Sequence, residues 1–374
     1  VTGRPIVHVA TGPSFLDFAC EIFEAVAPGA NHVIAVGTSL DSAGLPSAVT
    51  YESVAYGEAA TRTVVAGATQ ASLVIFHGVQ NPVIEALSRI PRGPVVVWSG
   101  WGGDYYGNGF NHSAGLLGPL TSRVVRAQRD RAYWVDRAIE WSRLARIRRG
   151  ASRRADYFSA PVPEDFAVFA RRFRSFSGGY VQLNYVSIED IVSRGEGPVL
   201  GTDVLLGNSA SPENNHFDVF EILRRQELGD SRLITPLSYG SPEYREEVVH
   251  RGRDLFGDRF VPLINHLSLD EYHQVIAGCS VVLMGHYRQQ GLGNVLRAVW
   301  QGAHVVLDPR NPVTQYLESR GVQVTNIRKA RIGELASTPL GAREVDTHRA
   351  VLDRYWGRET VLENARAVIA RAGL

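Results

Sequence analysis

The chain alternates short apolar runs with longer stretches in which apolar residues recur every three or four positions. Pro5-Ile-Val-His-Val-Ala10, His32-Val-Ile-Ala-Val36, Ser72-Leu-Val-Ile-Phe76 and Pro94-Val-Val-Val-Trp98 are almost continuously apolar. Such runs predict strands of a parallel sheet covered on both faces. Phe15 to Val26 and Pro82 to Ile90 carry helical spacing and predict crossover helices between them. Residues 107–178 are less regular. Tyr180 to Val186 predicts another strand, and Ser187 to Val192 a capped helix start. The turn-forming run Ser193-Arg-Gly-Glu-Gly-Pro198 then marks a boundary.

The same grammar returns in the second half. Strands are predicted at Val204–Leu206, Arg232–Leu237, Arg259–Ile264, Ser280–Gly285, His304–Asp308 and Gly321–Thr325. Helices are predicted up to Arg224, over Pro242–Phe256, Ser268–Ala277, Val295–Gly302 and Asn311–Arg320, and as one or two elements over Val345–Ala372. Repeated βα units predict an α/β protein of two doubly wound Rossmann-like domains. The expected division is 1–195, 196–345 and a helical segment, 346–374, packing back on the first domain. Ligands in such folds sit outside the carboxyl ends of the strands. The two domains are therefore expected to face a central cleft lined by both sets of loops.

Composition narrows this picture. The 374 residues suit two domains. A formal net charge of +1 gives no global argument for nucleic acid. The basic residues are arginines except for Lys329. Cys20 and Cys279 fall in different halves with no metal or redox spacing. No apolar run approaches the ~18 residues of a membrane span, and the start lacks the pattern of a signal peptide. A cytosolic enzyme is expected. No Asp-x-Asp pair follows a strand, so neither a metal–diphosphate site nor a cofactor is expected.

The most informative stretch is Arg288-Gln289-Gln290-Gly291-Leu292-Gly293-Asn294, between a strand and a helix. Free N–H groups and the positive end of the helix dipole make such a turn an anion site. It lacks the third glycine of a dinucleotide fingerprint and the lysine of a P-loop. A diphosphate-bearing donor other than NAD or ATP fits, with Arg288 matching phosphate oxygens through its fork; the plainer alternative is a structural βα turn. Gly207-Asn208-Ser209 ends another strand and suits a phosphate or a simple N-cap. Asn214 and His216 follow closely enough to touch a ribose or phosphate; a plain surface histidine is the alternative for His216. Tyr239, in Ser238-Tyr-Gly240, could stack on a base or sugar or sit in a plain turn, whereas Leu269-Asp-Glu-Tyr272 reads better as a helix start.

In the first half, Phe76-His77-Gly78 and Trp98-Ser-Gly-Trp-Gly-Gly-Asp-Tyr-Tyr106 follow strands. Asp104, or failing it His77, could take a proton from an acceptor hydroxyl. Trp98 and Trp101 could stack on sugar faces; alternatively the loop is structural and Asp104 caps a helix. From Arg123 to Arg154 eleven arginines face Asp130, Asp136 and Glu140, with Tyr133, Trp134 and Trp141 interleaved. A basic helix with such aromatics can lie on an anionic membrane; a solvated face is the alternative.

Several of these pieces together resemble a known family. They are Ile75-Phe-His77-Gly78-x-x-Asn81-Pro82, Trp98-x-x-Trp101-Gly102-x-Asp104-x-Tyr106, Gly207-Asn208-Ser209 with Asn214-x-His216, Arg288-Gln289-Gln290-Gly291-x-Gly293, and Asn311-Pro312. They resemble the bacterial TDP-N-acetylfucosamine:lipid II N-acetylfucosaminyltransferases over about residues 73–106 and 204–325. The resemblance implies a GT-B fold, a TDP-sugar donor in the C-terminal domain and no required metal. It also implies an undecaprenyl-diphosphate-linked saccharide acceptor and peripheral association with the cytoplasmic face of the inner membrane. Two features depart from it: a longer stretch between Tyr106 and Tyr180, and His286-Tyr287 before the arginine.

The expected function is transfer of an N-acetylfucosamine-like deoxysugar from a TDP donor to a lipid-linked or polysaccharide acceptor. Asn208, Ser209, Asn214, His216, Tyr239, Arg288, Gln289, Gln290, Gly291, Gly293 and Asn294 would hold the donor. Trp98 and Trp101 would hold the acceptor; in an inverting reaction Asp104 or His77 would be the base, and in a retaining one Asp104 would only orient the acceptor. The competing readings are a GT-B epimerase, a protein glycosyltransferase, or a non-catalytic nucleotide-sugar or polyanion binding module.

Overall fold

The structure is a computed structural model that describes residues 5–12, 16–38, 45–106, 115–128, 144–192, 199 and 201–374. The chain divides into two compact units. The first comprises Val1–His112, Val135–Ser187 and Trp356–Leu374; the second, Ser113–Trp134 and Ile188–Tyr355.

The first unit is a seven-stranded parallel sheet. In chain order its elements are β1 (Ile6–Ala10), α1 (Leu16–Val26), β2 (Asn31–Val36), β3 (Thr50–Val54), α2 (Glu58–Gln70), β4 (Leu73–His77), α3 (Asn81–Arg89), β5 (Val95–Ser99), α4 (Gly103–Tyr106) and, further along the chain, α6 (144–154), β6 (Tyr157–Ser159), α7 (Asp165–Arg172) and β7 (Gly179–Tyr180). The sheet order is β3-β2-β1-β4-β5-β6-β7. Successive strands are added on one side of β1 and on the other side of β4, so the switch point lies between those two. Every side chain of β1 and β4 is buried, as the continuous apolar runs require. His8 and His77 are the polar exceptions in these two strands.

The second unit begins with α5 (Pro119–Ala127). It continues through α8 (Ile188–Ile191), β8 (Asp203–Leu206), α9 (His216–Leu223), β9 (Leu233–Pro236), α10 (Pro242–Phe256), β10 (Phe260–Leu263), α11 (Leu269–Ala277) and β11 (Cys279–Met284). It closes with α12 (Leu292–Gln301), β12 (His304–Leu307), α13 (Pro312–Glu318), β13 (Thr325–Asn326), α14 (Ile332–Ser337) and α15 (Ala342–Trp356). Its parallel sheet has the order β10-β9-β8-β11-β12-β13, which places the switch point between β8 and β11. Both units are therefore Rossmann-like.

The division differs from a single cut after residue 195, for local reasons. Helix α5 belongs to the second unit because polar side chains at the cap and first turn of α9 hold its start. Asn215, with φ at 55°, accepts from the Gly118 N–H at 2.7 Å. Asp218 accepts from Leu120 and Thr121 N–H groups at 3.0 and 2.9 Å. At the other end, Gly357 separates α15 from α16 (Arg358–Ala370). Val361, Ala365, Val368 and Ile369 of α16 complete the core formed by Ile6, Ile22, Phe23 and Ile75 in the first unit.

Some elements depart from the apolar pattern. β3 is an almost wholly exposed edge strand, so it carries no apolar run to betray it. The strand expected over Tyr180–Val186 pairs only at Gly179–Tyr180, because its neighbour β6 is three residues long. The strand expected over Gly321–Thr325 shifts to Thr325–Asn326. Gly321 adopts φ +87° and the Val322 N–H bonds back to the Leu317 carbonyl, closing α13 instead.

Candidate functional site

In the second unit, the turn after β8 and the turn after β11 meet at the switch point, where ligands of doubly wound sheets sit. The Gln290 amide donates to Asn208 Oδ1 at 3.2 Å. Gly291, the αL residue that opens α12, packs so closely on Asn208 that a Cβ would lie 3.2 Å from its amide carbon. Gly293 is exposed, with nothing within 4 Å of where its Cβ would be. The Asn294 N–H donates to the Gly291 carbonyl at 3.1 Å, which leaves the Leu292 and Gly293 N–H groups as the unpaired start of α12, and glycine there lets an anion approach them. Asn294 donates to the Tyr272 hydroxyl at 2.9 Å. Gln290 Oε1 is a buried acceptor without a partner. Arg288 is half-buried beside this turn, and its Nη1 donates to the Gln289 carbonyl at 3.1 Å. Gln289 itself is buried.

The first of these turns is built by Asn214. Its Oδ1 accepts from the Asn208 N–H at 2.8 Å, and its Nδ2 donates to Ser209 Oγ and the Ser211 carbonyl, both at 3.1 Å. All its polar capacity near the turn is thus engaged in shaping it, and it is fully buried. Ser209 is buried as well, while Asn208 is half-buried and donates to the Tyr239 hydroxyl at 3.0 Å. Tyr239, Ile264 and Leu269 are exposed large apolar residues, all following the ends of β9 and β10. Leu269-Asp-Glu-Tyr272 does open a helix: Ser268 and Glu271 form a reciprocal capping box.

Two histidines lie under these turns. His216 Nδ1 is 3.2 Å from the Tyr244 hydroxyl; its Nε2 has no partner and is 3.1 Å from where a Cβ on Gly207 would sit. His286 is fully buried and neither ring nitrogen has a partner. Burial lowers the His216 pKa to about 3. Burial, with Arg288 and His216 adding to it, holds His286 well below the usual imidazole range.

The first unit gathers its polar groups at its own switch point. Gly78, at φ +70°, lets Trp101 lie across the backbone just after β4; a Cβ there would be 3.1 Å from the indole. The Trp101 indole N–H donates to the Tyr185 hydroxyl. Asp104 accepts three hydrogen bonds: from Trp98 Nε1 at 2.7 Å, the Val79 N–H at 3.1 Å and the Trp101 N–H at 3.0 Å. Burial raises its pKa, and these donors counteract the rise. Its carboxylate ties the loop after β5 to the loop after β4. Trp98 is a correction to the expected sugar platform. It is fully buried, edge-on to Phe169 and Phe173, with no face left for a ligand. Trp101 is only half-buried. Tyr105 and Tyr106 both donate to buried Asp165 and are core fixtures.

His77 is fully buried. Its Nε2 is 2.9 Å from His8 Nδ1, and its own Nδ1 has no partner. Its ring lies edge-on to Tyr185, with Trp101 alongside. Burial and then His8 hold its pKa well below the usual range. The sequence pattern alone does not mark His8, Asn31 and Tyr185 as part of a site. The available signal was a histidine in the middle of an apolar strand, which a sheet covered on both faces does not bury without a partner.

The basic segment lies partly outside the described residues, including Tyr133, Trp134 and Trp141. Its two described ends belong to different units, so they are not parts of one helix lying within a single unit. Arg154 is buried and donates to the Ile90, Pro91 and Pro94 carbonyls, which withdraws it from any surface. Among the described residues, no helix is long and apolar enough to cross a membrane, and no group of His, Cys, Asp and Glu is arranged to hold a metal.

Residues 186–334 match the family described as 4-alpha-L-fucosyltransferase, glycosyl transferase group 56. No curated protein sequence matches the chain. Solved structures match over almost the whole length. Anabaena HepE in complex with UDP and glucose has a TM-score of 0.64 at 13% identity, covering 98% of this chain and 99% of that one. A trehalose-6-phosphate protein from E. coli bound with UDP-2-fluoro glucose has a TM-score of 0.63 at 10% identity, covering 98% of each chain. An alpha,alpha-trehalose-phosphate synthase from Burkholderia xenovorans in complex with glucose-6-phosphate has a TM-score of 0.60 at 9% identity, covering 100% of each. The fold they share with this chain is that of GT-B glycosyltransferases.

Proposed function

Starting from a GT-B glycosyltransferase whose second unit is fucosyltransferase-like, we propose that this protein moves an N-acetylfucosamine-like deoxysugar from a TDP donor to a hydroxyl of a lipid-linked saccharide. The observation that carries the donor half is the joining of the two polar turns at the β8/β11 switch point, through Gln290 and Asn208 and through Gly291 packed on Asn208. Asn208, Ser209, Arg288 and the Gly291–Asn294 turn hold the diphosphate. They stabilise the charge that develops on the leaving group as the sugar–oxygen bond breaks. Asn214 shapes the first turn. The apolar surface of Tyr239, Ile264 and Leu269 suits the face and methyl group of thymine.

The first unit supplies the acceptor platform, with Trp101 as the sugar-stacking ring. Of the two candidate bases, His77 fits better. Asp104 already accepts three hydrogen bonds, whereas His77 has a nitrogen that nothing engages. The acceptor proton passes to that nitrogen as the hydroxyl oxygen bonds the anomeric carbon, and the electron pair of the broken bond leaves on TDP. Peripheral attachment to the cytoplasmic face of the inner membrane is part of the same proposal, supported by the arginine excess in the sequence between Arg123 and Arg153. Flotation with anionic vesicles tests it: a protein that stays in the soluble fraction at low salt removes the membrane from the proposal.

Thermal denaturation with TDP, UDP and GDP and their sugars tests the donor. TDP is expected to raise Tm at concentrations above its Kd. A larger shift with UDP, the nucleotide bound by HepE in its solved complex, would overturn the thymidine assignment.

A further inference from the structure

A row of polar side chains crosses the apolar layer of the first unit beside β1 and β4. It begins on α1 with Glu24, whose Oε1 accepts from the Gly29 N–H at 2.5 Å and whose Oε2 accepts from Asn31 Nδ2 at 2.7 Å. The same Asn31 nitrogen donates to the Ala27 carbonyl at 3.0 Å. Two acceptors around that atom fix the amide, with nitrogen toward Glu24 and Ala27 and oxygen toward His8. Asn31 Oδ1 lies 3.2 Å from His8 Nε2. An amide oxygen only accepts, so His8 Nε2 carries a hydrogen.

The rest follows by exclusion. A neutral imidazole holds one hydrogen, so His8 Nδ1 is bare. That bare nitrogen is 2.9 Å from His77 Nε2, which must therefore be the donor. His77 in turn has its single hydrogen on Nε2, and its Nδ1 is bare. This last nitrogen is the buried one without a partner. Both rings are neutral at neutral pH. Burial lowers His8 to about 4 against an opposing push from Asn31, and burial lowers His77 further from its usual range.

We propose that Glu24, Asn31 and His8 are positioning residues that lock His77 as the Nε2–H tautomer and reserve its bare Nδ1 for the proton of the acceptor hydroxyl. This rests on the transferase reading above. The register agrees with it: His77 pairs with Ala10 across the β1–β4 ladder, and Ala10 lies two residues from His8. Residues two apart share a face, so both rings project from the same side of the sheet. When His77 takes the proton, its Nε2–H still donates to His8. The new charge is then met by a chain of oriented dipoles ending on the Glu24 carboxylate. The hydroxyl oxygen has meanwhile bonded the anomeric carbon and the nucleoside diphosphate has left with the electron pair, so the proton is released afterwards to solvent. Access requires a neighbour to move, and Trp101 is the half-exposed ring beside His77.

The groups that bear on this pair come from several elements. They are Glu24 on α1, Asn31 and His32 on β2, Tyr185 from the segment after β7, and Asp104 on α4, which acts on Tyr185. Tyr185 is held un-ionised by burial and is not a competing base at neutral pH.

Nitrogen-15 NMR of the histidine-labelled full chain at neutral pH tests the proposal without any substrate. His8 and His77 are both expected as Nε2–H tautomers with bare Nδ1; His77 protonated at Nδ1 would overturn it. Activity then tests what the tautomer is for. His8→Phe is expected to lower kcat roughly a hundredfold or more, as for a base left free to adopt the wrong tautomer, with KM for the donor within about twofold. Glu24→Gln keeps an acceptor for Asn31 but removes the charge. It is expected to preserve the tautomer and move the acid limb of the kcat/KM profile to lower pH. An acid limb that stays in place in Glu24→Gln, or full activity in a folded His77→Ala, would sink the relay as a catalytic device. If no transfer from any nucleotide sugar is found, the donor reading fails while the tautomers remain decided by the spectrum.

Discussion

Gln290 donates through its side-chain amide to the side-chain oxygen of Asn208 at 3.2 Å. The two residues stand 82 positions apart in the chain, and this bond links the turns that follow the two central strands of the second unit. A diphosphate held there needs the two turns to act as one surface.

Arg288→Ala should weaken nucleotide diphosphate binding. A hydrogen bond to a charged group contributes about 1.5–3 kcal/mol, equivalent to roughly a ten- to hundredfold rise in Kd. Isothermal titration with TDP reads this directly. An unchanged Kd would place the diphosphate elsewhere.

The two glycines of the same turn should behave differently. Gly291 has φ +63° and packs on Asn208, so Gly291→Ala should destabilise the free protein by about 1–2 kcal/mol from backbone conformation alone. Gly293 has open space around it. Gly293→Ala should leave the Tm of the free protein unchanged and reduce only the shift produced by TDP. Equal effects of both variants on the free protein would show that the openness at Gly293 has nothing to do with a ligand.

Asp104→Asn separates positioning from catalysis. Asparagine offers one acceptor oxygen to three donors, so one of the Val79, Trp98 and Trp101 N–H groups loses its partner. The expected cost is about 1–3 kcal/mol, visible as a lower midpoint in urea. A variant with wild-type stability and no turnover would restore Asp104 as the base.

The buried neutral histidines predict acid sensitivity. His8 and His216 have folded pKa values of about 4 and about 3, below the ordinary 6.5. In the unfolded chain they take up protons as pH falls through 6.5, while in the folded chain they do not until much lower pH. Stability present above pH 6.5 is therefore lost as pH falls toward 4. For His8 a shift of this size corresponds to roughly 3 kcal/mol. Urea unfolding at pH 7 and pH 5 should show the decline, and His8→Phe should flatten part of it. A midpoint independent of pH over this interval would mean that these rings are not buried in neutral form.

Much of the fold is legible in the chain because its cause is local. β1, β2, β4 and β5, and later β8, β9, β11 and β12, are runs of largely apolar residues that a sheet covered on both faces buries. The edge strand β3 was invisible because an exposed edge needs no apolar pattern. The placement of α5 was equally hidden, since Asn215 and Asp218, nearly a hundred residues away, decide where that helix belongs.

The order of residues by itself determined the alternation of strands and helices and the position of glycine-bearing polar turns at strand ends. Both follow from side-chain polarity and backbone freedom within a few residues. Only the tertiary structure decided which polar groups are free to act. Asp104 and Asn214 have the residue types of a site, but their hydrogen-bonding capacity is taken up by shaping loops, and Trp98 is sealed in the core. His8 and Asn31 look like ordinary strand residues, yet they fix the tautomer of His77. The physical reason is that burial and hydrogen-bond partners belong to neighbours in space, which parallel strands bring together from distant parts of the chain.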